Sequence, residues 1–177
     1  PFGLSLSTSG LITGTPSSSG SASVQLRVTD SSSGPGQYFE LETLTINVVS
    51  APSVSIAVSP ASVSEDGATN LTYTVTRSAN LSSPTTVNIT TGGTATAGVD
   101  YTGNVASVTI PAGSTTASIT INPTTDSIIE PDETVALSVA AGTGYTVGAP
   151  SSATGTILND DVPTATIAVS PATVAED

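Results

Sequence analysis

The sequence predicts an all-β protein made of tandem antiparallel β-sandwiches, on three observations. Apolar residues recur at a spacing of two in many short runs. Clusters rich in Gly, Pro and Ser separate those runs. A 15-residue stretch, PSVSIAVSPASVSED at 52–66, returns as PTATIAVSPATVAED at 163–177, with ten of the fifteen positions identical at an offset of 111. A spacing of two places alternate side chains on one face of a strand, whereas no sustained 3.6-residue stripe marks a helix. An offset of about a hundred residues is the length of one sandwich, so the chain reads as an array of repeats.

The chain reads as three segments. Residues 1–50 carry the alternating sets Leu4 and Leu6, then Val24, Leu26 and Val28, then Leu44, Ile46 and Val48, with a loose SSSGPGQ loop at 31–37. About four strands and half a sandwich are expected, too little to bury a self-sufficient core. Such a piece would be completed by residues outside this chain or by a second chain. Residues 51–162 alternate at Val54, Ile56 and Val58, at Leu71, Tyr73 and Val75, at Val87 and Ile89, at Val108 and Ile110, at Ile119 and Ile121, and at Val135, Leu137 and Val139. Turns are expected at Gly92-Gly93, Pro111-Ala112-Gly113 and Gly142-Thr143-Gly144. Around seven short strands in about 110 residues make an Ig-like sandwich. Residues 163–177 are the first strand of a second copy.

Composition narrows the function. The 177 residues include no Cys, so neither disulfides nor thiolate metal sites are available. Arg27 and Arg77 are the only basic side chains against fourteen Asp and Glu, for a net charge of -12. Phosphate recognition needs clustered Lys and Arg, which excludes nucleic acid as a partner and argues against anionic membrane surfaces. No apolar run is long enough to span a bilayer, so membrane insertion of this segment is not expected. Serines are abundant, but the chain has neither His nor Lys to activate one, so no enzyme is expected. The abundance of Val, Ile and Thr argues for strands over acidic disorder. The Ser/Thr-rich, Lys-free composition gives trypsin-like proteases little to cut and fits a secreted or cell-surface protein.

The acids define the candidate site. Nine of the fourteen lie in the central unit, at strand ends and in loops: Glu65, Asp66, Asp100, Asp126, Glu130, Asp132, Glu133, Asp160 and Asp161. If strands alternate in direction, the segments carrying them converge at one end of the sandwich. Converging carboxylates repel one another and are relieved by a hard cation. Ca2+ takes 6–8 oxygen ligands, and shared carboxylates would hold two ions. Mg2+ fits a large carboxylate nest less well, and Zn2+ would want the His or Cys that the chain lacks. The plain alternative is a solvated acidic surface.

At these same residues the chain resembles a Calx-beta domain. The matching segments are VSIAVSPASVSED at 54–66, GTATAGVDY at 93–101, IPAGSTTASITI at 110–121, TTDSIIEPDETVALSV at 124–139 and GTILNDD at 155–161. The resemblance implies calcium ligation by Glu65, Asp100, Asp126, Glu130, Asp132 or Glu133, and Asp160 with Asp161, with the Ile128 carbonyl as a further ligand. Two departures reduce the charge: Thr125 and Ser127 flank Asp126, and Asn159 opens the terminal acidic triplet. Asp132 and Glu133 have a second reading, as residues that cap turns or bond backbone N–H groups. The segment 3–48, GLSLSTSGLITGTP through LTINV, resembles the C-terminal part of bacterial Ig-like, cadherin-like repeats, with Asp30 read as a turn residue.

The resemblance implies a calcium-binding structural module of a secreted or surface adhesin or filament, whose partners are calcium ions and neighbouring repeats. The junction Asp160-Asp161-Val162-Pro163-Thr164 puts acids beside the next repeat, and Pro163 stiffens it. Calcium should therefore restrict motion there, and not at the acid-free junction 48–53. The alternative is a carbohydrate- or protein-binding module of a large secreted enzyme. Self-association into a fibre would follow if the strand at 164–170 completed another chain's sheet. The sequons at Asn70, Asn80 and Asn88 match a glycosylation pattern that Ser/Thr-rich chains meet by chance.

Overall fold

In the computed structural model, residues 3–7, 9–16, 18–29, 39–79, 82–168 and 170 are described. The loop at 31–37, Asp30, Asn80 and the repeated Glu176-Asp177 pair lie outside them. The chain divides into two compact units, 1–51 and 52–177.

The first unit has four strands among its described residues, β1 (Leu4–Leu6), β2 (Ile12–Gly14), β3 (Gly20–Thr29) and β4 (Phe39–Val48). They form two antiparallel hairpins, with Leu4 opposite Gly14 and Gly20 opposite Val48. Leu4, Leu6, Ile12, Ala22, Val24, Leu26, Leu44 and Ile46 line an apolar cavity of about 90 Å³. None of these side chains is fully buried.

The second unit has ten strands among its described residues: β5 (Ser53–Ser59), β6 (Ser62–Ser64), β7 (Leu71–Arg77), β8 (Thr85–Gly93), β9 (Tyr101–Thr102), β10 (Ser107–Ile110), β11 (Thr116–Pro123), β12 (Glu133–Val139), β13 (Thr146–Val147) and β14 (Ser152–Leu158). They form two five-stranded sheets, in the orders β10-β8-β12-β14-β6 and β13-β5-β7-β11-β9. The pairings are antiparallel except β13 with β5 and β14 with β6, which run parallel. The opening segment crosses from one sheet to the other between β5 and β6, with β5 held between β13 and β7 and β6 at the edge of the other sheet beside β14.

The alternating residues form the core. Val54, Ile56, Leu71, Tyr73, Val75, Val87, Ile110, Ile121, Val135 and Leu137 are buried in one cluster that draws on both sheets. Their small aliphatic volumes are supplemented by Tyr73, whose O–H donates to the Val135 carbonyl (2.6 Å) and accepts from the Gly155 amide (3.1 Å). A phenol thus reaches from one sheet to β12 and β14 of the other with both of its hydrogen bonds made. Gly155 leaves room for it: a Cβ there would sit 2.7 Å from Leu71 Cδ1 and 3.0 Å from the Tyr73 oxygen.

Two sequence expectations need correction. Gly92 and Gly93 do not turn the chain but end β8, paired with Ala136 and Val135. Gly93 has φ +116, and a Cβ there would run into the Thr134 carbonyl oxygen. The glycine marks a close backbone approach rather than a reversal. Among the described residues the strand expected at 164–170 does not form either, since residues 163–168 are irregular. A strand is stabilised by its ladder, and among the described residues none pairs with this segment.

The candidate metal centre

Register fixes which loops meet. Leu71 pairs with Ile121 and Glu133 with Ile157, while β11 runs on through Pro123 beside Tyr101. The end of β6, the start of β9, the exit of β11, the start of β12 and the end of β14 therefore share one pole. All nine acids of the unit sit at these strand ends or in the segments that leave them. The opposite pole holds Arg77, which is buried and donates to the carbonyls of Ser114 (2.9 Å), Ser83 (3.0 Å) and Pro111 (3.0 Å) and to the Thr85 hydroxyl (2.7 Å).

At the acidic pole two carboxylate triads form. In one, Glu65, Asp126 and Glu130 each place an oxygen within 4.8 Å of the others; in the second, Asp100, Glu130 and Glu133 do the same. Glu130 is the shared vertex. A cavity of about 10 Å³, lined by Glu65, Asp100, Glu130, Pro131, Glu133, Ile157 and Asn159, lies among them. That is about one water-sized sphere.

Short-range bonds aim these groups. Asp126 Oδ1 accepts the Ile128 amide (2.6 Å), an Asx-type turn that folds the exposed 124–132 loop over the pole. Asp100 Oδ2 accepts the Thr96 amide (2.5 Å), and the Thr124 amide donates to the Asp100 carbonyl (2.9 Å). Glu65 is fixed through its backbone, its amide donating to the Leu158 carbonyl (3.0 Å).

The electrostatics show the strain of this arrangement. Glu133 is pushed up to about 7 by burial, then by its hydrogen bond to Asp100 and the charges of Asp100, Glu130 and Glu65. Glu65, 6 % exposed, is also raised, first by burial and then by Asp126, Asp161, Glu130 and Asp66. Asp161 is raised by desolvation, then by Asp66, Asp126 and Asp160. Its Oδ2 is shielded from solvent and has no hydrogen-bond partner. An orphaned carboxylate oxygen beside like charges fits a cation better than it fits solvated surface. The donor set is all oxygen, which suits a hard cation such as Ca2+.

The structure separates the remaining expected ligands. Asp132 is in neither triad; its Oδ1 accepts the Asn159 amide (3.1 Å), so it bonds a backbone N–H. Its neighbour Glu133 is in a triad, so the two acids of the Asp-Glu pair have different roles. Asp160 is also outside the triads, accepting the Ser64 hydroxyl on Oδ2 and the Asp66 amide on Oδ1 (3.4 Å). At Ile128 the structure shows the amide bond to Asp126 and a side chain 59 % exposed. Sequence reasoning placed Asp66 in the acidic cluster without a ligand role, and it did not single out Ser64 at this pole. A serine at a strand end carries no signal of its own that it will meet a carboxylate.

An Ig-like sandwich with a carboxylate nest at one pole defines an oxygen-donor cation module. The Calx-beta domain model matches residues 49–161, and the chain belongs to the Calx-beta domain family. Among solved structures it is similar to the apo form of the Calx CBD1 domain, at 27% identity and a TM-score of 0.51, covering 61% of this chain and 98% of that one. It is also similar to CBD12 of CALX1.2 and to the calcium binding domain CBD12 of CALX1.1, each at 27% identity and a TM-score of 0.51. Those two matches cover 60% of this chain and 44% of theirs. A search of curated proteins gave no match.

Proposed function

We propose that residues 51–162 form a calcium-binding structural module of a secreted or cell-surface repeat protein, an adhesin or extracellular filament, and that bound calcium stiffens the joint to the following repeat. The observation that carries this reading is the pair of triads sharing Glu130. Glu65, Asp126 and Glu130 hold one ion, and Asp100, Glu130 and Glu133 hold a second. Asp161 adds the carboxylate oxygen that lacks a hydrogen bond. Bound calcium supplies the positive charge that cancels the mutual repulsion of these groups. The chain leaves the site at Asp161-Val162-Pro163 and enters the next copy of the repeat at once. Ordering the 159–161 segment therefore limits the swing of that next copy. The tandem CBD12 relatives support neighbouring repeats as partners.

A carbohydrate platform has less support, because Tyr73, Tyr101 and Tyr145 are all buried and leave no tyrosine of the repeat exposed for stacking.

The test is a thermal melt of the full chain in chelator, in millimolar calcium and in millimolar magnesium. Ligand that binds the folded state raises its melting temperature by mass action. A rise of many degrees specific to calcium, reduced by Asp126→Asn, supports the proposal. Equal curves in all three conditions would refute it and leave the repeat a passive spacer.

A further inference from the structure

Asn159 stands where the family resemblance leads one to expect an acid, and it is not idle. Its Oδ1 accepts the Glu130 amide (3.4 Å), its Nδ2 donates to the Asp161 carbonyl (3.2 Å), and its own amide donates to Asp132 (3.1 Å). Three segments meet on this one residue: the loop that carries Glu130, the entry to β12 through Asp132, and the tail that carries Asp160 and Asp161. It is half-buried and lines the cavity between the triads.

We propose that Asn159 is a positioning residue, an uncharged strap that holds the shared ligand Glu130 and the exit tail together before any ion arrives. The chemistry favours an amide here. An Asp at 159 would keep the acceptor for the Glu130 amide, but it would set a carboxylate where Nδ2 now donates to the Asp161 carbonyl. It would also add a like charge to a pole that already raises Glu65, Glu133 and Asp161. An amide side chain donates and accepts at once, which neither a carboxylate nor an apolar group can do. Its two bonds tie the residue shared by both triads to the segment that leads into the next repeat. Outer partners that orient ligands commonly govern metal affinity by ten- to a hundredfold when removed. The inference rests on the calcium reading for its affinity arm alone.

The experiment compares the full chain with Asn159→Ala and Asn159→Asp. In chelator, amide hydrogen exchange followed by NMR reads the strap without any metal. The Glu130 amide is expected to be protected in the parent and in Asn159→Asp, which keeps the acceptor, and to exchange faster in Asn159→Ala. Calorimetric titration with calcium is expected to show roughly tenfold weaker binding for Asn159→Ala. Terbium luminescence decay in H2O and D2O is expected to show more coordinated water in that variant, a change that general loosening of the fold would not produce. Near-parent melting of Asn159→Ala in chelator confirms that it folds. Equal Glu130 protection in the parent and Asn159→Ala overturns the strap, as does unchanged calcium affinity. A parent that binds no calcium overturns the proposed function instead, and the exchange comparison still decides the strap.

Discussion

Replacing Glu130 with Gln should stabilise the metal-free protein and weaken its response to calcium, a reversal of sign that the loss of an ordinary stabilising contact would not produce. Glu130 is the one residue common to both triads, so it faces Glu65, Asp126, Asp100 and Glu133 with oxygens within 4.8 Å. Two unit charges at that distance repel by about 0.9 kcal/mol in bulk water and about 3.5 kcal/mol at an effective dielectric of about 20. The pole is open to solvent on its outer side, which pulls each pair toward the lower figure, and salt screens it further. A net relief of about 1–2 kcal/mol is expected at pH 8.5 and low salt, where Glu133 is ionised. For a domain of this size that is about 4–10 °C in melting temperature. With calcium, the same substitution removes a charged ligand from both triads and should lower affinity on the order of tenfold. The assay is differential scanning calorimetry of parent and variant in chelator at low and at high salt, and then in calcium. The chelated variant should melt higher, with the gap closing at high salt. A chelated variant that melts at or below the parent at low salt would mean the carboxylates do not strain one another, and the argument from repulsion fails.

Protonation should mimic the cation. Glu133 rises from 4.5 to about 7 on folding, so the folded state favours its protonated form. The stability this contributes is fully present below pH 4.5 and is lost as pH rises through 7. Burial and neighbouring carboxylates raise Glu65 and Asp161 in the same direction. The chelated protein should therefore melt lower at pH 8.5 than at pH 5.5, and the calcium-induced rise should be larger at pH 8.5. A chelated melting temperature independent of pH across that window counts against the site's electrostatics. At the other pole, Arg77→Met should cost at least about 3 kcal/mol in urea unfolding, because it strands the carbonyls of Ser114, Ser83 and Pro111 that the guanidinium satisfies. The calcium-induced shift should survive in that variant, since Arg77 sits at the opposite end of the sheets from both triads. Its loss would show that the two poles are coupled.

The core was legible in the sequence because its signal is local. Alternation at Leu71, Tyr73 and Val75 or at Val135, Leu137 and Val139 needs only the two-residue period of a strand, and these residues are buried as expected. The convergence of the acids was legible only in outline, since it depends on strand direction, which no local pattern encodes. The division of labour among neighbours could not be read. Asp132 and Glu133 are adjacent acids where one strand begins. Successive residues point apart, so one meets the Asn159 amide and the other meets Asp100. Gly92-Gly93 looked like a turn because glycine pairs usually reverse a chain. Here the Thr134 carbonyl is too close for a Cβ, a long-range contact that the dipeptide itself cannot reveal. The irregular stretch at 163–168 teaches the same lesson, because a strand motif becomes a strand only beside a partner.

Placing every acid of the repeat at one pole couples the charge state of that pole to the segment by which the chain leaves it. Apart from Glu133 at the first position of β12, the strands of the repeat carry no carboxylate, so the core is built from aliphatic packing and ladder hydrogen bonds. The repulsion falls on the 124–132 loop and the 159–161 tail, which hold few buried apolar side chains to resist it. Segments with little buried surface open at low free-energy cost. A cation that neutralises the triads therefore acts mainly on those segments, and one of them is the 159–161 tail that leaves the sandwich. Gathered at the exit, each site occupied as proposed would change the stiffness of one joint, and a row of such repeats would convert calcium concentration into the stiffness of an array.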